Sequence, residues 1–126
     1  MFEITVEETF AAGHALRGYR GKCENPHGHN YKVEVTLEGE QLDETGLLVD
    51  FVELKRWLRN AVERLDHRML NEIPPFDRIN PTAENMARYF YEEISRALQE
   101  SPSRDRVRVA SVRIRETDST TATYRP

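Results

Sequence analysis

A chain of 126 residues with 38% hydrophobic and 32% charged residues is long enough for one core and too short for two, so a single domain over residues 1–126 is expected. Its formal net charge of −4 argues against nucleic acid as the principal partner, because duplex binding rests on many Lys and Arg contacts to phosphate. No apolar run approaches the roughly 18 residues a membrane helix needs. The N-terminal MFEITVEETF reads directly as a strand, without the basic and apolar regions of a leader, and one cysteine allows no internal disulfide, which fits a reducing cytoplasm.

Phe2, Ile4 and Val6 alternate with Glu3, Thr5 and Glu7, and the same phase runs through Phe10 and Ala12 to His14. A long first strand therefore aims His14 to its apolar face. The next segment, ALRGYRGKC, carries Arg17, Arg20 and Lys22 with no acid among them. It is either a solvated loop or a place for a small anionic ligand. A second strand begins near His27, with His27, His29, Tyr31, Val33, Val35 and Leu37 on one face and Asn30, Lys32, Glu34 and Thr36 on the other. The period then changes: Phe51, Leu54, Leu58, Ala61, Val62 and Leu65 fall at helical spacing and predict a helix from about Asp50 to Leu65. The paired prolines of NEIPPFDRINP exclude a regular element there. A second helix follows, with Asn80 or Thr82 as N-cap and a buried stripe of Met86, Ala87, Phe90, Ile94 and Leu98. Val107 to Thr117 and Thr120 to Tyr124 read as a closing strand pair, with Glu116 in phase with Val112 and Ile114. The order ββααββ predicts an α+β domain, a four-stranded antiparallel sheet with both helices on one face. Its two open edges need covering, and joining subunits edge to edge would do so, which predicts an oligomer.

Four groups of residues carry potential chemistry. His27 and His29 share a strand face, and His14 projects from the same side of the neighbouring strand. Three imidazoles with an open fourth position suit a catalytic zinc, whereas hydrogen-bonded core histidines are the alternative. Cys23 is a fourth ligand closing that site, a thiolate acting beside it, or a buried thiol. Asp66 beside His67, near the end of the first helix, can orient an imidazole for proton transfer or merely suit the helix dipole. Glu116 places a carboxylate toward the apolar side, so it needs an arginine or a ligand with adjacent N–H donors.

Taken together, FAAGH, CENPHGH, LDHRMLN, NPTAEN and RIRET resemble the 6-pyruvoyltetrahydropterin synthase superfamily across essentially the whole chain. The short Cys-x3-His-Gly-His spacing is most similar to its 6-carboxytetrahydropterin synthase branch, which serves queuosine (7-deazaguanine) biosynthesis. The resemblance implies the tunnelling (T-) fold, with three subunits' sheets closing into a barrel and two trimers stacking into a homohexamer. It implies Zn2+ on His14, His27 and His29, and conversion of 7,8-dihydroneopterin triphosphate to 6-carboxy-5,6,7,8-tetrahydropterin, acetaldehyde and triphosphate. On this pattern Cys23 moves protons with His67 and Asp66, active sites lie between subunits, and Glu116 grips the pterin with Thr82 as a second candidate. Arg17, Arg20 and Lys22 are then the candidates for the triphosphate. Glu24 also completes Glu-x2-His-Gly-His, the pattern of a branch that makes 6-hydroxymethyl-7,8-dihydropterin for folate. That activity and pyruvoyl synthesis are the alternatives within the superfamily. A non-heme iron enzyme and a non-catalytic oligomer are the alternatives outside it.

Overall fold

The computed structural model describes residues 1–21 and 24–126, so Lys22 and Cys23, and the expectations placed on them, lie outside the described residues. In chain order the elements are β1 (Phe2–His14), β2 (His27–Gly39), α1 (Phe51–Glu63), β3 (Arg68–Met69), a 3-10 turn (Leu70–Glu72), α2 (Ala83–Gln99), β4 (Arg108–Thr117) and β5 (Thr120–Tyr124). The five strands form one sheet in the order β3-β1-β2-β4-β5.

The alternating apolar pattern explains the long central pair. β1 and β2 run antiparallel in unbroken register from Phe2 opposite Gly39 to His14 opposite His27. One-residue slippage would turn every side chain to the other face, so burial of Val6, Phe10, Tyr31, Val33, Val35 and Leu37 fixes the pairing. The helices cover that face. α1 buries Leu54, Trp57, Leu58, Ala61 and Val62, and α2 buries Met86, Ala87, Phe90, Ile94 and Leu98 against the same core. The other face carries Glu3, Thr5, Glu7, Asn30 and Glu38 of β1 and β2 and Arg113 of β4.

The helix boundaries follow their caps. Asp50 stands outside α1, accepting a hydrogen bond from the Val52 N–H at 2.8 Å. Of the two cap candidates for α2, Thr82 is the one used, its hydroxyl oxygen accepting from the Asn85 N–H at 3.1 Å. The sheet departs from the expectation of four antiparallel strands. β3 is a fifth, running parallel to β1 with Arg68 opposite Ala12 and Met69 opposite Gly13. Two residues are too few for any periodicity to announce a strand. β3 forms because the chain leaving α1 is caught on the β1 edge, where the His67 N–H donates to the Ala11 carbonyl at 2.6 Å.

Candidate metal centre

The central hairpin ends at the site. His14 and His27 are direct cross-strand partners, so their side chains leave the sheet on the same side. His29, one strand period further along β2, faces Ala12, whose side chain is too small to fill the space beside it. The three rings meet edge to face, with centroids 4.4, 5.2 and 4.9 Å apart. Each can present one ring nitrogen to a common point, and these atoms lie within 4.8 Å of one another. Tyr31 forms the floor, its ring 5.8 Å from His14 and 5.4 Å from His29 and stacked on Phe10 from below.

Main-chain carbonyls settle which nitrogens are available. His14 Nδ1 lies 2.7 Å from the Pro81 carbonyl oxygen, and His27 Nδ1 lies 2.8 Å from that of Asn25. A carbonyl only accepts, so both Nδ1 atoms carry a proton, and in the neutral ring Nε2 then presents its lone pair. Those two Nε2 atoms are 2.9 Å apart. Two lone pairs at that distance repel unless a proton or a cation lies between them. Backbone bonds from the far nitrogen are also how metal-binding imidazoles are oriented. Burial lowers the pKa of His14 below its ordinary value, against the Pro81 bond and the Glu116 charge, which act the other way. The neutral ring that a metal requires is thus the favoured form near pH 7. The donor set fits a borderline-soft divalent ion, and the three histidines form a centre able to hold one.

Glu116 comes to the same point from β4. Its Oε1 lies 3.3 Å from His14 Nε2 and 3.7 Å from His29 Nε2, with the side chain 29% exposed. Among the described residues its ion-pair partners are these histidines and no arginine.

The other predicted residues are distributed around this centre. Asp66 accepts the Ala11 N–H at 3.0 Å and holds His67 Nδ1 at 3.0 Å. The Ala11 bond, with His67 adding to it, keeps the Asp66 carboxyl below its usual range. His67 has a left-handed backbone, φ 58°, and an 81% exposed side chain. It borders a shallow cleft of about 440 Å³ lined also by Ala11, Gly13, Gly28, Asn30 and His29, so it is not part of the histidine cluster of its own chain. Glu24 and Arg20 are exposed on the connecting loop. The guanidinium of Arg17 donates to the carbonyls of Phe76 at 2.7 Å, Asn71 at 3.2 Å and Ile79 at 3.3 Å. Those bonds make it an anchor for the loop before α2, and they use three of the five N–H donors of its guanidinium. The Thr82 oxygen likewise serves the helix cap.

Two asparagines inside the motifs do work that sequence reading left out. The Asn71 side chain accepts the Ala15 N–H at 2.9 Å and donates to the Ala15 carbonyl at 2.8 Å. Asn80 treats Arg17 the same way, at 2.8 and 2.9 Å. Each amide imitates a neighbouring strand and extends the β1 track beyond His14. Asn85 then donates to the Asn80 carbonyl at 2.9 Å, fixing the residue before Pro81. Two amides spaced to catch alternate residues of an extended segment were a signal, but only once the fold had brought the loops together.

Relatives of this chain carry related names. The family model for 6-pyruvoyl tetrahydropterin synthase matches residues 3–126. A 6-pyruvoyl tetrahydrobiopterin synthase of Poecilia reticulata is 35% identical over 97% of this chain and 88% of its own. The 6-carboxy-5,6,7,8-tetrahydropterin synthase of Bacillus subtilis is 32% identical over 99% of this chain and 86% of its own. The solved structure of Caenorhabditis elegans 6-pyruvoyl tetrahydropterin synthase superposes with a TM-score of 0.83 at 30% identity, covering 100% of this chain and 97% of that one. The sheet with its two covering helices is therefore the T-fold, and with a family match over residues 3–126 the chain belongs to the 6-pyruvoyl tetrahydropterin synthase family of pterin-processing enzymes.

Proposed function

We propose that this enzyme converts 7,8-dihydroneopterin triphosphate and water to 6-carboxy-5,6,7,8-tetrahydropterin, releasing acetaldehyde and triphosphate, in cytoplasmic 7-deazaguanine (queuosine) biosynthesis. The observation that carries this reading is the Cys23-x3-His27-Gly28-His29 spacing leading into the three-histidine centre, together with a bacterial relative named for that reaction. Residues 1–126 act as one domain, and three sheets joined at their edges close a barrel that doubles into a hexamer.

His14, His27 and His29 hold Zn2+, with the Pro81 and Asn25 carbonyls keeping two of the rings in the tautomer that offers Nε2. Zinc on three neutral ligands supplies Lewis-acid chemistry to the hydroxyls of the substrate side chain. Glu116 accepts hydrogen bonds from the pterin's amino and ring N–H groups, which sets the ring's orientation. Cys23, as thiolate, takes and returns protons between side chain and ring. His67 is the second proton carrier. The Asp66 oxygen at its Nδ1 orients the ring and leaves Nε2 to face substrate. With His67 exposed and apart from its own chain's cluster, it serves the site of an adjoining subunit. Arg17, Arg20 and Lys22 are the cations for the triphosphate, and Arg17 also holds the loop beside them.

Glu24, three residues ahead of His27 and exposed, supports a second reading: aldol-type cleavage to 6-hydroxymethyl-7,8-dihydropterin for folate. One incubation decides. Zinc-loaded protein given dihydroneopterin triphosphate should yield acetaldehyde and a carboxylated pterin in equal amounts. A hydroxymethylpterin with a two-carbon hydroxyaldehyde would move the assignment to folate, and a pyruvoyl pterin without aldehyde would move it to the biopterin branch.

A further inference from the structure

The position of Glu116 is unusual for a residue whose expected work is to hold the far end of a pterin. Its Oε1 is directed at the metal-binding nitrogens, 3.3 Å from His14 Nε2 and 3.7 Å from His29 Nε2. The Pro81 carbonyl takes the only proton of a neutral His14, so the face of that ring toward Glu116 is a lone pair. A carboxylate oxygen and a lone pair repel at this distance, and a cation shared between them removes the conflict. The His14 distance agrees, and the 3.7 Å to His29 is slightly longer. Zinc bonds of about 2.0–2.1 Å to nitrogen and about 2.0–2.2 Å to a carboxylate oxygen put neighbouring ligand atoms of a tetrahedron about 3.3–3.5 Å apart.

We propose that Glu116 occupies the fourth coordination position of the cation while no substrate is bound, and that the pterin's N–H groups draw it away. This deepens the reading of the site as a pterin site and rests on it. The exchange needs no redox partner and moves no proton. The carboxylate keeps its charge and trades one cationic partner for hydrogen-bond donors, while the three neutral imidazoles keep the ion. Its strand makes the trade possible. Val112 and Ile114 are fully buried, whereas Glu116, next in the same phase, lies at the end of β4 and is reached by solvent from one side.

The consequence is order. With Glu116 in place the centre carries one net positive charge, and with Glu116 withdrawn it carries two. Full Lewis acidity is thus available only after the ring has been recognised, so small hydroxyl compounds and free phosphates without a pterin ring meet a closed centre.

The test uses the full chain loaded with Co2+, whose visible spectrum reports coordination, and unsubstituted 7,8-dihydropterin, which has the ring N–H groups and no side-chain hydroxyls. Binding is followed separately by pterin fluorescence. Saturation should shift the cobalt spectrum of the wild type, resting Glu116→Gln should already resemble that shifted form, and its Zn2+ affinity should fall at least about tenfold. A pterin that binds without moving the wild-type spectrum overturns the proposal, as does a thiolate-to-cobalt charge-transfer band in the resting protein, which would give the position to sulfur. If the pterin fails to bind, the pterin-site reading fails separately. The Zn2+ affinity of Glu116→Gln then still decides whether Glu116 is a ligand, an unchanged value overturning it. The wild-type spectra carry the test even if the variant does not fold.

Discussion

Tyr31 supports the metal centre with its ring and gains nothing from its hydroxyl. The ring is fully buried, stacked on Phe10 at 5.2 Å and edge-on to His14 and His29. Its oxygen has no hydrogen-bond partner among the described residues. Burial, with the Glu116 charge second, pushes the phenol far above its ordinary pKa, so it stays protonated. A buried, unpartnered hydroxyl costs about 1–3 kcal/mol, and removing it together with its desolvation is close to neutral. Tyr31→Phe should therefore leave stability unchanged or raise it by up to about 1 kcal/mol, read from the urea midpoint, with metal content intact. A loss larger than that would reveal a partner for the oxygen. At this scale the sequence was most legible where side chains speak: strand phase placed His14, His27, His29 and Glu116 on one side. It was silent on the Pro81 and Asn25 carbonyls that orient two of those rings, because a backbone acceptor has no letter of its own.

Among the elements, the join between β1 and the N-terminus of α2 controls the site. Asn80 clamps Arg17 through both its N–H and its carbonyl, and the next residue, Pro81, supplies the acceptor for His14. Asn80→Ala should loosen that acceptor. We expect Zn2+ affinity to fall about tenfold to a hundredfold, as for other lost outer partners of a metal ligand, measured by competition with a chelating dye. Stability should fall by only about 1–2 kcal/mol, so the two readouts separate positioning from unfolding. An unchanged affinity would show that Pro81 holds its place without the amide. Both helices were visible in advance, since apolar residues recurring every three or four positions over three or more turns line up on one side of a helix and scatter to both sides of a strand. β3 was not, because its two residues pair only after the rest of the sheet exists. Nor was the anchoring work of Arg17, whose three carbonyl partners lie more than fifty residues away in sequence.

Across the whole molecule, carboxylates held low in pKa set the acid limit. Glu93 joins the helices: Arg64 of the α1 C-cap donates to one oxygen at 2.6 Å, and Arg96 of α2 to the other at 2.8 Å. Burial alone would raise Glu93, but the Arg96 and Arg64 bonds outweigh it and its pKa is lowered. Asp43, bonded by Thr45 and then by the Leu47 N–H, is lowered too. The sign follows from linkage: the unfolded chain takes up these protons first as pH falls. Their contribution is complete above the ordinary carboxylate values of about 4–4.5 and disappears as pH drops through the lowered ones. Acid titration followed by circular dichroism should show stability falling below about pH 4.5, with a shallower fall in Glu93→Gln. Equal slopes would remove Glu93 from the account. The layered architecture was legible from element order, while the tie between the helices required knowing which faces of them meet.

The unbroken ladder from Phe2–Gly39 to His14–His27 has one more implication. An ion held at the open mouth of that ladder would fasten the end most prone to fray, and it could be held only if every rung below were aligned. A chain shifted by a single step would offer its imidazoles to opposite sides of the sheet and leave the ion without its three ligands.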